Sequence, residues 1–248
     1  MTALPLVLVP GLLCDAAVWA PELAALEAAG PVAVADHGRL DSLSAMAERV
    51  LATAPPTFAL AGHSMGGRVA LEIVARAPER VARLALLDTG HEGLPAGEAG
   101  DRERSGRLRL LDVARREGMR AMGRDWLRGM VHPRRLVDAW LVNEILDMIA
   151  RATPAHFAAQ MNALLNRPDR TALLPTIAVP TLVLCGADDA WSPLARHRAI
   201  AAAIPGSTLV AVPDCGHMST MEQPEALTRA LLAWLTDRPQ EQAISKEP

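Results

Sequence analysis

Gly62-His63-Ser64-Met65-Gly66-Gly67 stands between an apolar run of strand length, residues 57–61, and a helix-period segment, residues 66–77. A strand that enters a helix through so short a turn brings two backbones together. Glycine at the flanks removes the Cβ atoms that would otherwise collide. The turn holds the Ser64 hydroxyl out above the sheet edge and sets a helix N-terminus beneath it, where free N–H groups and the helix dipole favour negative charge. A serine so placed is a candidate nucleophile.

Outward from this turn, apolar runs alternate with helical segments, the pattern of a mostly parallel α/β sheet flanked by helices. Residues 4–9 form an apolar run closed by Pro10-Gly11, residues 17–29 read as a helix with Pro21 in its first turn, and residues 32–35 read as a short buried strand. Ser42 or Ser44 caps a helix running to Ala54, which Pro55-Pro56 stops. Strands are predicted again over 81–87, 182–185 and 209–212, and a last helix over 225–236. Between His91 and about Arg167 the alternation stops, leaving only helical patterns separated by Gly and Pro. Residues 1–90 and 168–238 are therefore expected to form an α/β core, 91–167 an inserted helical cap, and 239–248 a flexible C-terminal tail.

The composition narrows the chemistry. The chain has 248 residues, a net charge of -3, 50% hydrophobic and 3% aromatic residues, no tyrosine, and a single lysine, Lys246. A Schiff-base lysine, a P-loop lysine and a tyrosine acid, base or oxyanion donor are all excluded from the body of the chain. Balanced charge gives no field for nucleic acid, and no apolar run approaches the roughly 18 residues of a membrane span. The N-terminal stretch lacks the basic leader of a signal peptide. Cys14, Cys185 and Cys215 are odd in number and without metal-like spacing, which argues against a disulfide framework and for a cytoplasmic setting. The expected partner is a small-molecule substrate, with no nucleic acid, no membrane and no cofactor; a homodimer is compatible with the sequence.

A serine nucleophile needs a base, and the base needs an orienting acid. Gly186-Ala187-Asp188-Asp189 follows the strand at 182–185, and Asp214-Cys215-Gly216-His217 follows the strand at 209–212. Both segments lie at C-terminal strand ends, where open α/β sheets place their sites. His217 is the base; both Asp188 and Asp189 stand near enough in sequence to be the acid. His37, His91, His132, His156 and His197 fall in loops or cap and read as structural. His63 adjoins the nucleophile, with its side chain expected to point away from that of Ser64.

These residues resemble the α/β-hydrolase superfamily, in its small ester-hydrolase-like branch with a helical lid. The likeness rests on Leu6-Val7-Leu8-Val9-Pro10-Gly11, the Ser64 turn, Ala77-Pro78-Glu79-Arg80-Val81, the Gly186 to Asp189 spacing, and Gly216-His217 with Glu222-Gln223-Pro224. The resemblance implies Asp189 as the acid, and the backbone N–H groups of Leu12 and Met65 as the oxyanion hole. The family usually has His-Gly after its first strand where this chain has Pro10-Gly11, which puts the anchoring of that loop in question. Branches with an aspartate nucleophile do not fit Ser64, and the hydroxynitrile-lyase branch requires a lysine that is missing here. Ser64 to Ala70 is also similar to the elbow of the menaquinone-pathway synthase branch, including Arg68.

Met65, Met218 and Met221 fall among the motifs, and Met119, Met122, Met130, Met148 and Met161, with Trp126 and Trp140, fall in the cap. Methionine adapts to irregular apolar shapes, so these residues suit a permissive apolar pocket. Trp126 and Met218 are candidate substrate contacts, and Arg68 is a candidate for an anionic group. The cap holds eleven arginines against five acids between Asp101 and Arg135, a density read as the solvated outer faces of helices. The expected activity is hydrolysis of small to medium, largely apolar carboxylic esters through an acyl-enzyme. The alternative is lyase or C–C bond cleavage by the same triad on an anionic substrate.

Overall fold

In the computed structural model, which describes residues 3–236, six apolar runs form one parallel sheet. They are β1 (Leu6–Val9), β2 (Val32–Val34), β3 (Phe58–His63), β4 (Val81–Leu87), β5 (Thr181–Gly186) and β6 (Thr208–Val212). The strands lie in the order β2-β1-β3-β4-β5-β6. From β1 the chain first adds a strand on one side and then crosses to the other. That reversal opens a crevice beyond the carboxyl ends of β1 and β3, the position where such sheets bind ligands.

Helices α1 (Ala20–Ala29), α2 (Leu43–Thr53), α3 (Met65–Arg76), α8 (Leu194–Ala203), α9 (Ser219–Glu222) and α10 (Pro224–Leu235) connect or flank the strands. Between β4 and β5 lie α4 (Glu98–Glu117), α5 (Met119–Met130), α6 (Ala139–Ala150) and α7 (Pro154–Leu165). The expected tail, 239–248, lies outside the described residues.

The strands that carry the site are covered on both faces: every residue of β1, β3 and β5 is buried. Leu8, Leu60, Leu84 and Leu86 are fully buried, so truncating any of them to Ala costs about 2–5 kcal/mol. β2 differs from the expectation of a buried strand. It pairs with β1 alone, at the sheet edge, and stays partly exposed.

The helix expected over 17–29 is divided. A 3-10 turn over Ala16–Trp19 precedes α1, and the Asp15 carboxylate accepts from the Ala17 N–H at its start. Pro21 has no N–H to bond backward into that turn, so the α-helical ladder begins afresh. Ser42 rather than Ser44 caps α2, accepting from the Ala45 N–H at 3.4 Å. Ser44 instead donates to Glu72 at 3.2 Å. α8 and α9 were not legible in the apolar pattern: α8 buries only His197 and Ile200, and α9 is a single turn.

Candidate active site

The turn from β3 into α3 holds Ser64 at φ 56°, ψ -117°, a left-handed conformation that strains any residue with a Cβ. The crossing is close enough to require glycine on both sides. A Cβ on Gly62 would lie 2.3 Å from the Gly66 carbonyl oxygen, and one on Gly66 would lie 2.1 Å from that of Val9. The Ser64 N–H donates to the Leu87 carbonyl (2.8 Å), and the Thr89 hydroxyl donates to the Ser64 carbonyl (2.6 Å). Bonds on both sides of the residue keep the strained conformation in place.

The Ser64 hydroxyl meets His217 Nε2 at 2.8 Å, and His217 Nδ1 meets Asp189 Oδ2 at 2.7 Å. Asp189 Oδ1 accepts the N–H groups of Trp191 (2.7 Å) and Ser192 (2.8 Å). Asp188 is half exposed, with Oδ2 3.7 Å from His132 Nε2; the carboxylate at His217 belongs to Asp189.

Burial alone would raise the Asp189 carboxyl, but the His217 charge and the hydrogen bonds it accepts hold it below the usual carboxylate value. Burial alone would lower His217, but the Asp189 charge and hydrogen bond outweigh it and raise the imidazole above its ordinary 6.5. The hydroxyl therefore faces a ring nitrogen whose basicity is increased by the carboxylate behind it.

Leu12 follows β1 and faces the same cavity as Met65 and Ser64. Met65 is the first residue of α3, so its N–H has no partner within the helix. Among the described residues no acceptor takes the Leu12 N–H. The loop that lacks the expected histidine is anchored by other groups. His37 Nε2 bonds the Pro10 carbonyl at 3.2 Å, and Gln160 Oε1, from α7, accepts the Leu13 N–H at 2.8 Å. Leu13 sits at φ 59°, so this bond restrains a strained residue next to a predicted oxyanion donor.

Behind the imidazole lies a buried polar layer that the sequence reading did not assign. His63 Nε2 lies 2.9 Å from the His217 carbonyl and 3.5 Å from Asp88 Oδ2. Asp88 accepts from Ser219 Oγ and from the Gly186 N–H (2.9 Å). Burial and then the Asp189 charge push Asp88 up to about 8, while burial and then the His217 charge push His63 down to about 4. Glu222 accepts the N–H groups of Gly216 and Met218, each at 3.1 Å, on either side of His217. The His217 N–H donates to the Met130 carbonyl, at the end of α5, at 2.6 Å. Asp88 was detectable as an acid at a strand end and Glu222 as part of a quoted motif. A lone glutamine in a helix carried no signal.

The cavity over Ser64 has a volume of about 530 Å³, within the usual range for small-ligand sites. Its apolar wall includes Leu12, Met65, Trp126, Met130, Trp191 and Met218. The Trp191 ring centroid lies 5.3 Å from that of Trp126 and 5.9 Å from that of His217. Of the other methionines, Met119, Met122, Met148 and Met161 are core side chains, and Trp140 is 65% exposed, so it is no pocket residue. Cys14 is only partly buried and lines the cavity, unlike fully buried Cys185 and Cys215. Burial and then Asp15 push the Cys14 thiol up to about 12, a protonated and unreactive state.

The arginines divide. Arg116 pairs with Asp112 and Arg134 with Asp214 at the surface, as expected of outer faces. Arg107 does not fit that expectation, because it lines the cavity together with Arg102, Arg109, Arg167 and Arg196, and Arg68, the candidate for an anionic group, lines it as well.

A model of the alpha/beta hydrolase family matches residues 6–230 of the chain. The protein belongs to the α/β-hydrolase family. It is 31% identical to a putative carbamate hydrolase, RutD, of Variovorax paradoxus, over 91% of this chain and 89% of that one. It is 29% identical to a pimeloyl-[acyl-carrier protein] methyl ester esterase of Aromatoleum aromaticum, over 78% and 81%. Among solved structures, a thermophilic esterase from Thermogutta terrifontis superposes with a TM-score of 0.84 at 30% identity, over 96% and 92%. This α/β-hydrolase has six parallel strands flanked by helices, and like these relatives it is a hydrolase. Among its described residues no helix is long and apolar enough to cross a membrane.

Proposed function

We propose that this α/β-hydrolase cleaves carboxylic esters of small molecules through an acyl-enzyme, with Ser64 as nucleophile, His217 as base and Asp189 as orienting acid. The observation that carries the reading is the continuous chain of short contacts, 2.8 Å from Ser64 to His217 and 2.7 Å from His217 to Asp189. As His217 Nε2 accepts its proton, Ser64 Oγ attacks the ester carbonyl carbon, and Asp189 stabilises the resulting imidazolium. The carbonyl oxygen becomes an oxyanion between the N–H groups of Leu12 and Met65, where a single donor is worth roughly 2.7–4 kcal/mol. Collapse expels the alcohol with the proton from His217, and a water activated by the same imidazole then releases the acid. Trp126 and Met218 pack against the apolar part of the substrate, and no step calls on a cofactor.

Hydrolysis of a short p-nitrophenyl ester that disappears in Ser64→Ala supports this reading; hydrolysis that survives the substitution overturns it. Lyase or C–C bond cleavage with the same triad has one observation in its favour, the Arg68 side chain on the cavity wall. Turnover of an ester by an enzyme that leaves a carbon–carbon-linked analogue of the same substrate intact separates the two.

A further inference from the structure

Four guanidiniums converge on the cavity from segments far apart in the chain: Arg68 on α3, Arg107 on α4, Arg167 after α7 and Arg196 on α8. Two glutamates answer them. Glu103 is held in a fork by Arg167 (2.7 and 2.9 Å) and accepts from Arg107 Nε at 2.9 Å. The Glu92 carboxylate pairs with Arg196 at 3.1 Å. Arg68 is left without a carboxylate within ion-pair distance among the described residues. Its Nη1 donates only to the Glu92 backbone carbonyl (2.7 Å), which also accepts from Arg167 Nε (3.2 Å).

The convergence depends on Gly90, three residues past the end of β4. A Cβ there would lie 2.7 Å from Arg68 Nη2 and 3.0 Å from Arg196 Cδ, so any side chain at this position would drive the two arginines apart. Burial, and then the neighbouring Arg167, Arg196 and Arg107 charges, push Arg68 down to about 9. A guanidinium nevertheless keeps its proton at neutral pH, so the crowding persists as repulsion that an anion would relieve. Arg68 lies in the first turn of α3, four residues after the Ser64 that caps it and about 6 Å along the axis, so an anion at this cluster stays within reach of the reacting carbonyl. The fork already holding Glu103 shows that these side chains suit a planar carboxylate.

We propose that Arg68, backed by the positive charges of Arg167 and Arg196, binds a carboxylate carried by the substrate, so that the preferred ester has a neutral ester group at Ser64 and a negatively charged end about one helical turn away. Half-esters of short dicarboxylic acids are the simplest members of this class. The assignment rests on the ester-hydrolase reading for the bond that is broken, but not for the anion that is bound.

Methanol release is measured for monomethyl adipate and for methyl hexanoate, which has an acyl chain of the same length ending in methyl. The ratio of the two kcat/KM values is expected to favour the half-ester by about tenfold or more in the unsubstituted enzyme. It should fall toward unity in Arg68→Gln and recover in part in Arg68→Lys. Because the ratio does not depend on how much protein is folded, a general loss of structure leaves it unchanged. A ratio at or below unity, or one that Arg68→Gln does not move, overturns the proposal. Adipate is also titrated calorimetrically into Ser64→Ala and into the Ser64→Ala, Arg68→Gln double variant, with weaker binding expected in the second. Adipate binding that depends on Arg68, with neither ester cleaved, overturns the ester-hydrolase reading and supports the subsite. Cleavage of both esters without adipate binding overturns the subsite alone.

Discussion

The triad side and the arginine side of the same cavity are built by different means. Ser64, Asp189 and His217 each follow a strand of the sheet, and bonds from backbone N–H groups hold them: Ser64 N–H to the Leu87 carbonyl, His217 N–H to the Met130 carbonyl, and Ser192 N–H to the Asp189 carboxylate. Arg68, Arg107, Arg167 and Arg196 reach their place through long side chains from three helices and a connecting segment. Strand ends fix a constellation through the ladder, so the first group was readable from short motifs and their order along the chain. The second depends on how helices pack and on a bare Cα at Gly90, which no local spacing encodes. One side therefore sets the reaction, and the other is free to set which substrate is taken.

The sharpest way to break the comparison is to remove a triad member. Ser64→Ala should lower kcat on a neutral ester by on the order of 10⁶-fold, and Asp189→Asn by about 10⁴-fold. Losses of tenfold or less in steady-state assays of either variant would mean that the triad side does not set the rate.

Structure supporting that side is the next test. Gly66→Ala places a Cβ 2.1 Å from the Val9 carbonyl oxygen, an overlap of backbone against backbone that should cost about 3 kcal/mol or more in denaturant unfolding. Gln160→Leu leaves the Leu13 N–H buried without its acceptor, costing about 1–3 kcal/mol. A Gln160→Leu variant as stable as the parent would show that α7 does not anchor the loop of Leu12.

A smaller effect sharpens the account of His217. The base must be neutral, and its folded value is raised above 6.5 by Asp189. The acidic limb of kcat/KM against pH should therefore have its midpoint above 6.5, with activity lost as pH falls through it and recovered as pH rises. The residual activity of Asp189→Asn should show that limb moved to lower pH, because the charge that raised the imidazole is gone. A midpoint unmoved by the substitution would break the link between the two residues.

The sheet, the α3 elbow and the order of Ser64, Asp189 and His217 were legible because apolar runs and glycine turns impose them locally. Asp189 was separated from Asp188 by family spacing, and the contact with His217 now gives that choice a geometric basis. What stayed hidden was tertiary. The Gln160 amide answers the loop that lacks histidine, Asp88 and His63 form a buried layer behind the imidazole, and Trp191 lines the cavity. Arg107 was read as solvated because its helix-surface pattern is the same whether the exposed face meets bulk water or a cavity, whereas Arg68, the candidate for an anionic group, lines that cavity.

Labelling with a fluorophosphonate probe, followed by peptide mass mapping, tests the central claim most directly. The account predicts a single phosphonyl adduct on Ser64, forming faster as pH rises through the His217 midpoint and absent in Ser64→Ala. A folded sample that gives no adduct, or an adduct on another residue with Ser64 untouched, would contradict it.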